Sequence, residues 1–229
     1  MSDLVLVGAS GLAREVQADS AGRYRIIGLL DDDSSRHGTM LAGLRVLGGV
    51  DLAPDLDAEL LVCVGSGSAR RGIVARLTER GIGQDRYATF VSPAAHVPPG
   101  TSIGPGSILL AGVVATANVT VGSHVVIMPN STLTHDDVIA DYVTLAAGVA
   151  LGGSVVLEHA SYLGMNSSVR QGVWVGQSAV VGMGAVVLTD VPAGETWAGV
   201  PARRLEAAGR PGLSAPAESR PATPGRGRP

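Results

Sequence analysis

The chain has 229 residues, of which 45% are hydrophobic but only 3% aromatic, and its net charge is −3. This mildly acidic balance gives no electrostatic case for a nucleic-acid partner, and no apolar run approaches the length of a membrane span. A single cysteine, Cys63, rules out a disulfide framework within the chain and fits a reducing, cytoplasmic setting; the opening residues read as a strand and no secretory leader is expected.

Composition shifts near residue 90, which divides the chain into an α/β unit over residues 1–90 and a repeat over 91–205. Leu4–Val7 reads as a strand, followed by the turn Gly8-Ala9-Ser10-Gly11 and a helix through Ala21. Arg25–Leu30 is a second strand, ending in Asp31-Asp32-Asp33. Glu59–Val64 is a third, ending in Gly65-Ser66-Gly67, with a helix from Ser68 to Arg80; Tyr87–Val91 leads into the repeat. Alternating strands and helices of this kind predict a small parallel, Rossmann-like domain. The Gly8–Gly11 turn can approach a phosphate with backbone N–H groups, although it lacks the three glycines of the dinucleotide fingerprint. Asp31 or Asp32, after the second strand, can meet a ribose or a base edge.

From Val91 to Val187 every sixth residue is aliphatic or alanine: Val91, Val97, Ile103, Leu109, Ala115, Val121, Ile127, Leu133, Ile139, Leu145, Leu151, Leu157, Leu163, Val169, Val175, Val181, Val187. Neither a helix nor a flat strand repeats at six. The period predicts a parallel β-helix in which three hexapeptides complete each turn. The fifth position of each hexapeptide is small or valine throughout, except for Asp137. That exception is expected to face solvent through a local distortion, with coupling to His135 as the alternative. Residues 193–205 form a closing segment, and 206–229, rich in Pro, Gly, Ala, Ser and Arg, read as a disordered tail.

His96, His124, His135 and His159 lie in or beside the coil. His135, followed by Asp136, occupies the third position of its hexapeptide, and one eighteen-residue turn later stands Gly153. Successive coils lie ~4.8 Å apart, so the imidazole should neighbour a main chain that carries no side chain. A base, a carboxylate to fix its tautomer and an accessible N–H suit attack on a thioester carbonyl.

The turn Gly8-Ala9-Ser10-Gly11, the pair His135-Asp136, the step Gly152-Gly153, and the segments Gly164-Met165-Asn166-Ser167 and Gly199-Val200-Pro201-Ala202-Arg203 occur in an order and spacing that resembles the bacterial nucleotide-sugar acetyltransferases of the PglD/NeuD type, within the hexapeptide-repeat acyltransferase superfamily. The resemblance implies a left-handed coil and a homotrimer with acetyl-CoA between neighbouring coils. It implies His135 as general base, Asp136 as its partner and Gly153 as oxyanion donor. Thr144, Gly153, Met165, Met183 and Arg203 are implied to line the acetyl-CoA site. Gly8, Ser10, Gly11, Asp31, Asp32 and Gly65 would face the nucleotide sugar, and no metal is implied. Two further departures from the family pattern stand out: Thr144 replaces a second histidine nine residues after the base, and Leu12-Ala13 replaces His-Gly after the glycine turn.

The function expected is N-acetylation of a nucleotide-linked amino sugar. O-acetylation of a sugar hydroxyl, as on sialic acids, and a non-catalytic sugar-binding scaffold remain alternatives. A zinc hydratase of the γ-carbonic anhydrase kind needs three converging imidazoles. His135 and His159 share a repeat position but lie 24 residues apart, on different faces.

Overall fold

The computed structural model describes residues 2–20 and 22–205; the tail expected at 206–229 lies outside them. The N-terminal unit is built on β1 (Asp3–Val7), β2 (Arg25–Leu30), β3 (Met40–Leu41), β4 (Leu44–Gly48) and β5 (Glu59–Val62), with α1 (Gly11–Asp19) and α2 (Gly67–Glu79). Strand order is β3-β4-β2-β1-β5, parallel except for the edge hairpin β3–β4. The sequence reading did not include that hairpin, whose turn is made by Ala42 and Gly43, both at positive φ. Each helix starts at a serine cap: Ser10 accepts from the Ala13 N–H and Ser66 from the Ala69 N–H, both at 3.3 Å, satisfying a donor that the first turn leaves open. The first helix ends at Asp19, short of the expected Ala21.

The six-residue period becomes a three-walled left-handed parallel β-helix, stacked in an eighteen-residue register: Thr120 pairs with Ser102, Val126 with Ile108, Thr132 with Val114. The first wall carries Phe90–Val91, Ile108–Leu109, Val126–Ile127, Thr144–Leu145, Tyr162–Leu163, Val180–Val181 and the closing Thr196–Ala198. The second carries Val114–Ala115, Thr132–Leu133, Ala150–Leu151, Ser168–Val169 and Val186–Val187. The third carries Ser102–Ile103, Thr120–Val121, Val138–Ile139, Val156–Leu157 and Trp174–Val175. The second residue of each strand points inward, and from Leu109 to Val187 these residues form one buried aliphatic column. Each full rung contributes on the order of 1.5–3 kcal/mol as an upper estimate.

At the corners the fourth residue of the hexapeptide turns left-handed. Asn118, His124, Asn130, Asp136, Tyr142, Ser154, Ala160, Asn166 and Ser178 all have φ between 54° and 64°, and glycines fill the equivalent Gly106, Gly112, Gly148, Gly172 and Gly184. No β-branched residue stands in this series, as the sterics of that region require.

The N-terminal unit packs on the first wall. Leu4, Leu6, Leu12, Val16 and Leu29 share a buried cluster with Phe90, Ile108, Leu110 and Val126. The seam is locked by Arg70 of α2, which is fully buried. Its guanidinium donates to the carbonyls of His124 (2.9 Å), Val64 (2.8 Å), Gly65 (2.9 Å), Tyr142 (2.9 Å) and Val143 (3.0 Å) and to Thr144 Oγ1 (3.0 Å). Burial pulls the guanidinium down to about 10, so it stays charged at neutral pH. Gly67 sits so close to Tyr142 that a Cβ there would overlap its carbonyl oxygen. Beside this contact His124 is buried, stacked on Tyr142 with centroids 5.3 Å apart and edge-on to Tyr87 at 4.6 Å.

Two predictions follow from the seam. Arg70→Ala leaves several buried carbonyls without donors and should lower unfolding free energy by about 3 kcal/mol, read from chemical denaturation. Burial, and then the Arg70 charge, lower the His124 pKa from 6.5 to about 4. The unfolded chain therefore binds this proton more readily, and stability drains away as pH falls from 6.5 towards 4. In His124→Phe that loss is removed, so the stability difference should swing towards the variant by about 2 kcal/mol between pH 7.5 and pH 5.

Candidate active site

The corner between the second and third walls carries His135. Its position in the turn and the left-handed φ of 64° at Asp136 bring the two side chains together: His135 Nδ1 lies 2.8 Å from Asp136 Oδ2. A carboxylate only accepts, so Nδ1 is the donor and Nε2 carries the lone pair. Asn118, one coil earlier, donates to Asp136 Oδ1 at 3.3 Å. The His135 hydrogen bond, followed by that of Asn118, holds the Asp136 carboxyl below the usual carboxylate range. Asn118 was not among the residues expected; its signal was an asparagine at a corner position one turn before Asp136.

Directly against the ring lies Gly153. A Cβ there would overlap Cε1 and Nε2 of His135, and the next residue, Ser154, donates its N–H to the His135 carbonyl at 2.8 Å. Glycine is needed at 153 for space; its φ is not in the positive region. No described group accepts a hydrogen bond from the Gly153 N–H. His135, Asp136 and Gly153 therefore meet at one edge of the prism.

Asp137 corrects the sequence reading. It does not face solvent: it is 0% exposed, inside the coil, with Oδ1 accepting from the Val155 N–H at 2.9 Å and Oδ2 from the Thr134 N–H at 2.7 Å. The coil needs no distortion outward because the two amides satisfy the carboxylate internally.

Thr144 is a second correction. It is buried in the seam, accepting from Arg70 and donating to the Gly65 carbonyl at 2.9 Å, so its hydroxyl is spent on domain docking and not presented to a coenzyme. Met165 and Met183 are 49% and 72% exposed. They stack on the edge between the first and second walls, where the Gly184 N–H meets the Met165 carbonyl at 2.8 Å. That is a different edge from the one holding His135. Arg203 is exposed in the closing hairpin, opposite Ala198.

The remaining expected residues gather at the carboxyl ends of β1, β2 and β5, the usual crevice of a parallel sheet. Gly8, at φ 105°, donates to the Leu30 carbonyl at 2.7 Å, and a side chain there would strike Val64 and Cys63. Ser10 Oγ donates to the Cys63 carbonyl at 2.6 Å, and Gly11 opens α1 at the surface. Asp31 braces the turn by accepting from the Ala9 N–H at 2.7 Å. Asp32 is engaged elsewhere, with Val50 N–H at 3.0 Å and Arg76 at 2.7 Å. Desolvation opposes its ionisation, but these partners together hold its carboxyl low. Gly65 turns its carbonyl towards the coil through Arg70 and Thr144. Arg36, absent from the expected set, reaches over the glycine turn to the Ala9 carbonyl.

The two halves of the site do not meet within one protomer. Contacts of α2 with His124, Tyr142 and Ala160 occupy the edge between the third and first walls. On the other flank of the first wall, α1 faces Leu110, Ala111 and Pro129. The N-terminal unit thus straddles the first wall, and His135 stands on the edge opposite. Among the described residues no cluster of His, Cys, Asp or Glu suits a metal, and no helix is long and apolar enough to cross a membrane.

Residues 3–77 match the family described as the PglD N-terminal domain. No curated protein matches by sequence. Among solved structures, the chain is similar to the acetyltransferase domain of PglB from Neisseria gonorrhoeae FA1090 in complex with acetyl coenzyme A, at 28% identity and a TM-score of 0.80, covering 89% of this chain and 99% of that one. It is similar to GDP-perosamine N-acetyltransferase from Caulobacter crescentus, a histidine-to-alanine variant in complex with CoA and GDP-perosamine, at 25% identity and a TM-score of 0.82, covering 90% and 98%. It is also similar to WeeI from Acinetobacter baumannii AYE, at 28% identity and a TM-score of 0.80, covering 90% and 100%.

Given the bare Gly153 beneath the His135–Asp136 pair, Gly153→Ala should leave the coil folded but displace the imidazole, and misplacement on the order of 1 Å should cost about 10²-fold in turnover. Steady-state kinetics beside a thermal melt would separate the two effects. The chain joins a segment that matches the PglD N-terminal domain to a left-handed hexapeptide β-helix, and over 89–90% of its length it is similar to the PglB acetyltransferase domain and to GDP-perosamine N-acetyltransferase.

Proposed function

We propose that the protein is an acetyl-CoA-dependent N-acetyltransferase acting on the amino group of a nucleotide-linked amino sugar. The observation that carries this reading is the His135–Asp136 pair standing against the unsubstituted main chain of Gly153. The solved relatives with acetyl-CoA, CoA and GDP-perosamine in their sites support the substrate class.

In this reading the neutral amine attacks the thioester carbonyl, forming the N–C bond. His135 Nε2 takes the amine proton as that bond forms, while Asp136 fixes the tautomer and stabilises the imidazolium. The Gly153 N–H faces the developing oxyanion. The C–S bond then breaks, CoA leaves as thiolate, and the imidazolium returns its proton to that sulfur. No acyl-enzyme forms.

The sugar nucleotide would lie in the crevice at Gly8–Gly11 and Asp31, with Arg36 near its phosphates. Because that crevice and His135 lie on opposite sides of the prism, one substrate reaches both only when a second copy brings its N-terminal unit to the His135 edge. A closed ring of three such contacts gives the homotrimer. Met165, Met183 and Arg203 would then approach the coenzyme from the neighbouring copy. We place the protein in the cytoplasm, a setting that the buried thiol of Cys63 fits.

His135→Ala should keep the oligomer and lose about 10²–10⁴-fold in turnover. Near-wild-type activity in that variant would rule out the base assignment. Incubation with acetyl-CoA and parallel sets of UDP-, dTDP- and GDP-linked amino and hydroxy sugars, read by product mass, should give acetylated amino sugars. Acetylation confined to hydroxy sugars would replace this reading with O-acetylation.

A further inference from the structure

Every fifth position of the repeat is small or valine apart from Asp137, and Asp137 lies in the turn that carries His135. The geometry points to Asp137 as a positioning residue for the proposed acetyl transfer: its buried carboxylate ties the turn of His135 to the turn of Gly153 and sets the spacing between base and oxyanion donor. The inference rests on the reading given under Proposed function.

Its two oxygens bind one amide on each side of that gap. Thr134, whose N–H donates to Oδ2, immediately precedes His135; Val155, whose N–H donates to Oδ1, follows Gly153 by two residues. The ladder records the consequence. In the coils around it, the residue after each strand donates to the carbonyl seventeen positions on: Thr116 to Leu133 (3.1 Å), Met128 to Leu145 (2.9 Å), Ala140 to Leu157 (2.8 Å) and Ala146 to Leu163 (2.9 Å). At Thr134 the corresponding bond, to Leu151, is replaced by the bond to Asp137, and the strand pair there keeps a single matched residue, Thr132 with Ala150. The coil has exchanged a main-chain rung for a side-chain tie at the turn that bears the base.

Packing alone does not ask for a carboxylate. Ser107, five hexapeptides earlier, performs the simpler version, accepting from the Val125 N–H at 3.0 Å and donating to the Gly122 carbonyl at 2.8 Å. Serine also fills the equivalent Ser131, Ser161 and Ser167. A serine has one oxygen, whereas a carboxylate is an acceptor at both ends and so holds two amides at once. Retaining it carries a stability cost. Burial is the main influence on Asp137 and pushes its carboxyl up to about 6, against the amides of Val155 and Thr134, which lower it. The charged groups facing it are His135, which favours its ionisation, and Asp136, which opposes it; buried Val119 and Val155 hold the equivalent position in the adjoining coils. Since the folded value lies above the ordinary 3.8, the stability this group contributes when protonated is lost as pH rises through about 6.

Asp137→Ser and Asp137→Asn test the inference. Both should assemble as the parent does, and Asp137→Ser should melt at or above the parent temperature at pH 8. Its kcat should fall by at least about tenfold with KM for both substrates within twofold, and the kcat profile should change shape around pH 6, where Asp137 titrates. Asp137→Asn, which turns a donor towards one of the two amides, should lose kcat in the same way. Parental kcat and pH profile in Asp137→Ser would overturn the inference, as would losses in both variants that merely track unfolding. Absence of any acetyl transfer by the parent protein would instead overturn the functional reading, and this inference with it.

Discussion

The eighteen-residue turn of the coil is the constraint on which everything else depends. Once an aliphatic residue at every sixth position is driven inward, each residue is stacked on the one eighteen places away, and a chain separation becomes a spacing of one strand. His135 and Gly153 are neighbours for that reason. The corner geometry adds the second half of the arrangement. A left-handed residue at the fourth position bends the chain so that Asp136 swings alongside His135, and the same bend one coil earlier delivers Asn118 to the far oxygen of the carboxylate. The fold and the site are consequences of one periodicity.

The docking of the N-terminal unit uses a different kind of interaction. An apolar cluster supplies area, and Arg70 supplies direction by saturating the carbonyls of two coil turns and of the loop after β5. A guanidinium surrounded by carbonyl oxygens has strong directional demands, and among the described residues no carboxylate pairs with it, so the relative placement of the two units is narrowly defined. That placement leaves the His135 edge uncovered, which is where a second subunit would have to come for the substrate to span both halves.

Much of this was legible from sequence because period is a long-range signal: one phase error in seventeen rungs would have been visible, and none occurs. The three N-terminal strands and two helices were equally readable from alternation and glycine turns. What escaped were side chains whose partners are set by tertiary contact. Asp137 breaks the small-residue rule, and a carboxylate in a narrow core is normally excluded; only the folded structure reveals the two amide N–H groups that donate to it. Thr144 sits at a position where the family pattern suggests a coenzyme contact, yet the arrival of Arg70 buries it. Nothing local distinguishes Arg70 from its neighbour Arg71. The hairpin at residues 40–48 is short and interrupted by Gly43 and Gly48, too little pattern for a period of two to register.

The central claim is that the amine, the imidazole and the thioester carbonyl converge at the edge between the second and third walls. A structure of the oligomer with CoA and a nucleotide-linked amino sugar tests it most directly. The account predicts the sugar nitrogen within hydrogen-bond distance of His135 Nε2, with the thioester end of the coenzyme against the Gly153 amide. An amine bound away from His135, or a coenzyme tail lying along another edge, would contradict it.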